Sequence, residues 1–178
     1  MQFLKHLLNA IIIITIASIS IFWYMGFFDT VYLVEKTTGP YYALMQDVQL
    51  FDDATDVRNT LFNKLLDKKI VCNKGIAITT PPFEKLNSKI IKTGWIIENK
   101  DIHIVEKQFP HASIINIPKQ LRIAADFPYK NTFSTIGGTY KSYNAMLEYA
   151  NKNNYTPTKV FEIYDDKAKT IFYLMEYK

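Results

Sequence analysis

The sequence predicts an α+β domain that one N-terminal helix attaches to a membrane. Three observations support this fold class: an uncharged apolar run from Leu7 to Phe28, an order of strand, helix, strand and strand that occurs twice, and a composition that is 48% apolar. That composition excludes a disordered chain, and residues 30–178 have the length of one compact domain. We divide the chain into an anchor, residues 1–29, and a domain, residues 30–178, with halves at about 30–98 and 121–178.

The apolar run predicts a single transmembrane helix. As a helix, Leu7–Phe28 would span ~33 Å, enough to cross a bilayer core of ~30 Å. Trp23 and Tyr24 lie toward one end, where amphipathic rings favour the membrane interface. Lys5 precedes the run and Asp29 follows it. The positive-inside bias then places the N-terminus in the cytoplasm and the domain on the extracytoplasmic side.

A cleaved signal peptide is the alternative to an uncleaved anchor. Ser18-Ile19-Ser20 offers small residues at the spacing of a cleavage site. The apolar run continues to Phe28, further than the apolar core of a signal peptide requires. The sequence therefore favours an anchor.

The first half of the domain reads as strand, helix, strand and strand. Thr30–Lys36 is β-branched and alternating, which is typical of a strand. Asp52 and Asp53 can cap a helix, whose apolar stripe comprises Ala54, Val57, Leu61 and Leu65. Two further strands are predicted at Lys74–Thr80 and Ile90–Asn99, separated by Pro81-Pro82.

The second half repeats this order. A strand is predicted where Leu121, Ile123, Ala125 and Phe127 alternate. A helix follows, with a stripe of Tyr140, Tyr143, Met146, Leu147 and Ala150. Lys159–Tyr164 and Thr170–Tyr177 then read as two strands. Paired about a pseudo-twofold axis, two such halves bury their apolar sheet faces in one core and leave a ligand cleft between them.

A Gly-x-x-Tyr pattern indicates an internal duplication. Gly39-Pro40-Tyr41-Tyr42 precedes the first helix, and Gly137-Gly138-Thr139-Tyr140 precedes the second. Glycine permits a tight strand-to-helix turn, and the tyrosine ring can then cover the sheet. We interpret the two sites as the same junction in each half.

Composition and motifs exclude several function classes. Of 21 basic residues only Arg58 and Arg122 are arginine, which argues against a nucleic-acid partner because such surfaces use arginine for bidentate and stacked contacts. Cys72 is the single cysteine, so no disulfide framework or cysteine-rich zinc site is expected. Nucleotide-binding and hydrolase motifs are absent, and His103 and His111 lie in a polar connecting stretch. We expect no metal and no cofactor.

Glu162 is the candidate functional residue. It stands in an apolar strand and shares a face with Val160 and Tyr164 by the two-residue period. A carboxylate there either points to solvent or lies in a partly enclosed site, where burial raises its pKa. Aromatic residues accumulate at the strand ends around it, which is typical of a receptor for flat or cationic molecules. They are Tyr41, Tyr42, Trp95, Phe127, Tyr129, Tyr140, Phe161 and Tyr164.

The second half resembles the GyrI-like small-molecule-binding domain, which is also the effector-binding domain of multidrug-responsive regulators. The residues that carry this resemblance are Ala125-Asp126-Phe127-Pro128-Tyr129-Lys130, Gly137-Gly138-Thr139-Tyr140, Leu147-Glu148-Tyr149, Asn154-Tyr155 and Phe161-Glu162-Ile163-Tyr164-Asp165. The first half matches through Gly39-Pro40-Tyr41-Tyr42 and Gly75-Ile76-Ala77-Ile78 followed by Pro81. A membrane segment before such a domain resembles the anchored ER-phagy receptors of that superfamily.

The resemblance implies a duplicated fold with a ligand cleft, in which Glu162 contacts a hydrophobic, aromatic or cationic organic ligand. The expected ligand-binding residues are Glu162, Tyr164, Tyr140, Tyr42, Trp95 and Phe127. Some GyrI-like proteins are similar to hydrolases of reactive small molecules, so one alternative is an enzyme with Glu162 as general base. A membrane-tethered protein-interaction module is a second alternative. A tetrapyrrole is a remoter ligand class, which the haem-binding members of the superfamily suggest.

Overall fold

The computed structural model describes residues 2–49, 53–81, 90–110, 112–131 and 133–178. In these ranges it contains four α-helices and one antiparallel sheet of eight strands, so the α+β class is confirmed. The elements in chain order are α1 (Gln2–Tyr24), β1 (Tyr32–Thr38), β2 (Tyr41–Asp47), α2 (Ala54–Asp67), β3 (Lys74–Thr79), β4 (Ile90–Ile97), α3 (Ile102–Gln108), β5 (Ser113–Ile117), β6 (Gln120–Pro128), α4 (Ser134–Lys152), β7 (Pro157–Asp165) and β8 (Thr170–Tyr177).

The order of strands in the sheet is symmetric about its centre. The order is β1-β6-β8-β7-β3-β4-β2-β5, with β7 and β3 antiparallel and Glu162 opposite Ala77. The units β2-α2-β3-β4 and β6-α4-β7-β8 therefore occupy equivalent places on the two sides of the β7–β3 pair. The two edge strands lie outside these units, and each pairs with the first strand of one unit: β1 pairs with β6, and β5 pairs with β2. The repeated order of strand, helix, strand and strand is thus present.

The first strand of the first unit differs from the prediction. The predicted strand Thr30–Lys36 corresponds to β1, which begins at Tyr32 and lies at the edge beside β6. The strand that is equivalent to β6 in the first unit is β2, which was not predicted from the sequence. Both faces of β2 are covered at its centre, where Ala43, Leu44 and Met45 are fully buried. Such a strand reads as a continuous apolar run without the alternation that identifies a half-exposed strand.

The connecting stretch after β4 also has more structure than predicted. Helix α3 and strand β5 occupy residues 102–108 and 113–117. His103 is exposed on α3, and His111 lies outside the described residues. Val105 and Phe109 bury this stretch against a cluster under α2.

The Gly-x-x-Tyr sites are not equivalent junctions, and that interpretation is wrong. Gly39, with a φ of +89°, lies in the turn from β1 to β2, whereas Gly137 and Gly138 lie inside α4. The α4 glycines serve close packing: a Cβ at Gly138 would lie 2.6 Å from the Tyr173 hydroxyl oxygen. Tyr140 does not cover the sheet, because 43% of its surface is exposed.

The two principal helices begin and pack largely as their sequences require. Asp53 caps α2, since its carboxylate accepts a 2.7 Å hydrogen bond from the Thr55 amide, while Asp52 lies outside the described residues. Leu61 and Leu65 are the buried stripe of α2. On α4 the buried members of the predicted stripe are Tyr143, Met146 and Ala150.

The sheet has helices on one face and a separate core on the other. A cluster that includes Ala43, Ile76 and Phe161 fills the face opposite α2 and α4. Arg122 is fully buried there, where it donates to the Thr38 carbonyl, the Pro118 carbonyl and the Glu176 carboxylate. These bonds join β1, β6 and β8, so this arginine is structural.

Helix α1 is long and apolar enough to cross a membrane. Its window Lys5–Tyr24 has a mean hydropathy of 2.1, and none of it is buried against the rest of the chain. The helix ends at Tyr24, earlier than the predicted Phe28, and residues 25–28 form a turn with Gly26 at a φ of +79°. In this turn Phe27 packs against the domain, with its ring centre 6.5 Å from that of Tyr140.

Candidate functional site

A cavity of about 440 Å³ lies between α2 and α4 and has the centre of the sheet as its floor. Its walls are Thr55, Arg58 and Asn59 from α2 and Thr135, Ile136 and Thr139 from α4. The floor contains Gly75 from β3, Ile90 and Trp95 from β4, and Glu162 and Tyr164 from β7, with Tyr129 and Asp166 completing the lining. The site thus combines residues of both repeated units.

Glu162 stands at the centre of the cavity floor. It is 3% exposed, because its strand β7 is flanked by β3 and β8 and Tyr143 of α4 contacts its carboxylate. The Tyr143 hydroxyl donates a 2.8 Å hydrogen bond to Glu162 Oε1, and the Tyr164 hydroxyl donates to Oε2. Two tyrosines from different elements therefore fix the orientation of the carboxylate.

The environment of Glu162 favours its protonated form more than water does. Burial raises the pKa of Glu162, and the hydrogen bonds from Tyr164 and Tyr143 and the Arg58 charge oppose this rise without cancelling it. Burial, together with the Glu162 charge, also raises the pKa of Tyr143 and Tyr164. Both tyrosines thus remain protonated donors at physiological pH.

Arg58 forms the cationic part of the cavity wall. Its guanidinium carbon lies 4.3 Å from the centre of the Tyr164 ring, a cation–π distance. A Cβ at Gly75 would lie 3.1 Å from Arg58 Cδ, so glycine leaves room for this arginine to cross the sheet. The Trp95 indole N–H donates a 2.9 Å hydrogen bond to the Arg58 carbonyl, which connects α2 to β4.

A second polar contact lies beside Glu162. The hydroxyl oxygens of Thr139 and Tyr173 are 3.4 Å apart, and the Tyr173 ring packs edge-on to Tyr143 at 5.9 Å. Thr139 thus lines the cavity from α4 while its hydroxyl contacts Tyr173. The site offers a carboxylate, a guanidinium, hydroxyls and aromatic faces within one enclosure.

Three of the six expected ligand-binding residues line the cavity: Glu162, Tyr164 and Trp95. The structure does not bring the other three there. Phe127 is fully buried under α4, because Gly138 lets its ring approach the helix. Tyr42 packs on the cluster under α2, and Tyr140 is exposed beside Phe27.

Arg58, Tyr143 and Thr139 are site residues that the sequence analysis did not select. Tyr143 was recognised only as part of the apolar stripe of α4, and its hydroxyl gave no separate signal. Arg58 carried one available signal, since it is one of only two arginines in a lysine-rich chain. Arg58 lies on α2, the helix before β3, and comes near Glu162 because β3 pairs with β7. That pairing joins residues that are far apart in the sequence.

Asp165, the last residue of the Glu-x-Tyr-Asp motif, has a structural role. Its carboxylate accepts hydrogen bonds from the amides of Lys167 and Ala168 in the turn to β8 and lies 2.9 Å from Lys74 Nζ. Burial acts to raise its pKa, but these donors outweigh burial and lower the pKa of Asp165. The motif therefore combines a cavity residue with a turn residue.

The described residues contain no group of three or more potential metal ligands from histidine, cysteine, aspartate and glutamate. Among its described residues the cavity lining includes no histidine, cysteine or methionine, and Tyr129 and Tyr164 are the side chains there of a type that can ligate a haem iron. Cys72 is buried, and burial raises the pKa of its thiol to about 11, which makes it a poor nucleophile.

Comparison with known proteins finds likeness among solved structures. No protein-family model and no curated protein matches the chain. The chain is similar to a solved integron cassette protein from the mobile metagenome of Vibrio cholerae, with 8% sequence identity and a TM-score of 0.45. The match covers 84% of this chain and 97% of that chain. A likeness at this level assigns neither a family nor a function.

Proposed function

We propose that this protein is a membrane-anchored domain that binds a small organic molecule in the cavity between α2 and α4. The observation that carries the proposal is Glu162, a buried carboxylate that two tyrosine hydroxyls orient on the floor of a 440 Å³ cavity. Concave sites of this size, with convergent polar groups and a perturbed pKa, are typical ligand sites. The GyrI-like resemblance of the sequence agrees with this function.

The lining favours an aromatic ligand that carries a positive charge. Trp95, Tyr129 and Tyr164 provide aromatic surface for a flat molecule. Because Glu162 is desolvated, a cation beside it recovers electrostatic energy that water no longer supplies. Arg58 provides part of this compensation in the free protein and stacks on Tyr164, so a ligand cation would share the carboxylate with it.

The enzyme alternative assigns Glu162 as a general base. A carboxylate with a raised pKa is suited to that task, and Thr139 and Asn59 could help to position water. Against it, both carboxylate oxygens already accept hydrogen bonds from tyrosines, which withdraw charge from the base. We therefore rank binding above hydrolysis, and a tethered interaction module with an empty cavity below both.

A titration with a cationic aromatic dye tests the proposal. Thioflavin T is the probe, a neutral phenylbenzothiazole is its uncharged counterpart, and the full chain is held in detergent micelles with empty micelles as the blank. Glu162→Gln should weaken binding of the dye by about 1–3 kcal/mol, the scale of a lost charge-assisted contact. Glu148→Gln, on the exposed side of α4, is the matched control and should leave affinity unchanged.

The same variants separate binding from catalysis. Under the hydrolase alternative, Glu162→Gln abolishes turnover of a reactive ester while the affinity for the dye changes little. If the dye binds the wild-type chain and Glu162→Gln leaves both its affinity and any turnover unchanged, Glu162 has no part in the site. The proposed function is then wrong.

A further inference from the structure

The first two turns of α4 connect the cavity with the end of the membrane helix. We propose that the cavity opens toward the lipid bilayer and receives from it an amphiphile, whose cationic head lies beside Glu162 and whose apolar chain passes α4. This inference rests on the proposed function and adds to it both the route of entry and the class of ligand. It follows from contacts between residues 22–29 and α4, and from apolar side chains left exposed beside them.

Polar contacts hold the end of α1 against the residues that precede α4. The Asn131 side-chain amide donates a 2.8 Å hydrogen bond to the Tyr24 carbonyl, where α1 ends. Lys130 Nζ lies 2.8 Å from both carboxylate oxygens of Asp29 and 5.6 Å from the centre of the Trp23 ring. These bonds place the start of α4 at the level where the chain leaves the membrane.

Close packing continues this contact along α4. A Cβ at Gly137 would lie 2.8 Å from the Met25 carbonyl oxygen, so the turn after α1 touches the α4 backbone. The Phe27 ring lies 6.5 Å from Tyr140 and 5.2 Å from Phe22, which joins α1 to the next turn of α4. The wall of the cavity that Thr135 and Thr139 form therefore belongs to a helix that packs against the turn following α1.

Apolar side chains remain exposed along this junction. The exposed fractions are 54% for Phe133, 43% for Ile136 and 62% for Phe28. Ile136 also lines the cavity, so the exposed apolar surface continues into the cavity mouth. We assign the bilayer as the occupant of this surface because it is continuous with α1, whose Trp23 and Tyr24 are residues that favour the membrane interface.

The test measures whether a membrane-bound amphiphile reaches Trp95 better than a water-soluble analogue. The full chain is placed in phosphatidylcholine vesicles with the substitution Trp23→Phe, which leaves Trp95 as its one tryptophan. Two nitroxide quenchers share a TEMPO head: one carries a dimethylhexadecylammonium group and the other a trimethylammonium group. The hexadecyl probe should quench Trp95 at a bulk concentration at least about tenfold lower, because its chain concentrates it in the bilayer.

A pair of variants shows whether entry uses the α4 side. Phe133→Glu places a charge on the junction and leaves every residue of the cavity lining unchanged. It should raise the concentration of hexadecyl probe that is needed to quench Trp95 about threefold or more. Ile104→Glu is the control, since Ile104 is 45% exposed on α3, and it should behave as the parent chain. Thioflavin T binding is measured in the same vesicles and should be equal in all three chains.

The outcomes separate this inference from the proposed function. Equal quenching by the two probes, or a Phe133→Glu chain that behaves like Ile104→Glu, overturns entry from the bilayer. If thioflavin T still binds in that case, the cavity remains a ligand site that is filled from water. If thioflavin T does not bind the parent chain, the proposed function fails, and this inference fails with it.

Discussion

Glu162 determines how the site responds to protonation. The folded chain buries this carboxylate, whereas the unfolded chain exposes it to water, and burial raises the folded pKa above the ordinary value of 4.5. The folded state therefore binds the proton more tightly than the unfolded state does. The stability that depends on Glu162 is greatest at low pH, falls as pH rises from about 4.5 toward the folded pKa, and is constant above it.

Replacement of Glu162 by glutamine should remove this pH dependence. The free energy of unfolding of Glu162→Gln minus that of the wild type should increase with pH across this window, by about 1.4 kcal/mol for each unit of pKa shift. Urea unfolding of the micelle-bound chain between about pH 4 and about pH 8 measures the difference. A difference as flat as that of the exposed Glu148→Gln would contradict the assignment of Glu162 as a buried titrating group.

The sequence identified Glu162 and its partner Tyr164, but not Tyr143 or Arg58. A charge in an apolar strand is visible as an exception to the pattern, and Tyr164 follows from the two-residue period. Tyr143 on α4 bonds to Glu162, and Arg58 on α2 lines the same cavity, so both positions depend on how the helices pack on the sheet. Such contacts depend on tertiary structure, which local periodicity does not encode.

The strands show which elements the sequence pattern could identify. The predicted bounds of β8 match the observed ones, and those of β3, β4, β6 and β7 differ by a few residues. These strands were predictable because one face is more polar than the other, or because proline and polar residues lie at their ends. β2 and β5 were missed. β2 has no polar alternation at its buried centre, and β5 is a short edge strand that follows α3 in a polar stretch. The α4 glycines resemble turn glycines in the sequence because close packing in a helix and a tight turn require the same residue.

The N-cap of α2 gives a test at the scale of one element. Asp53→Ala removes the acceptor of the 2.7 Å bond from the Thr55 amide and should lower the free energy of unfolding by about 0.5–2 kcal/mol. Asn63→Ala, at an exposed position within α2, is the control and should leave stability equal or slightly higher because alanine favours the helix. Urea unfolding midpoints compare the two. Equal midpoints for both variants would show that Asp53 does not cap the helix.

The whole molecule joins an apolar helix to a domain whose site spans two equivalent units. This arrangement explains why the sequence could predict the class of fold: repeated element order and an uncharged N-terminal run are properties of long segments. The sequence could not predict that α1 ends at Tyr24, because the turn that follows depends on contacts of Phe27 and Asp29 with α4 and Lys130.

The charges that flank α1 predict the orientation of the chain in the membrane. With Lys5 before the helix and Asp29 after it, alkaline phosphatase fused after Lys178 should be active, and a reporter that works only in the cytoplasm should be silent. The opposite pattern would reverse the orientation. The chain should also stay in washed membranes, and release of a product that begins at Ile21 would replace the anchor with a cleaved signal peptide.

We propose that the ligand occupies the cavity between α2 and α4, so a variant that fills this cavity should lose the ligand. Thr139→Trp places a large ring in the cavity, whereas Asn144→Trp adds the same ring to α4 at a position outside the lining. Thioflavin T titrations of both variants, with matching circular dichroism spectra as proof of folding, give the comparison. Thr139→Trp should weaken binding at least about tenfold, and Asn144→Trp should leave it unchanged. Equal affinity in the two folded variants would contradict a ligand site in this cavity.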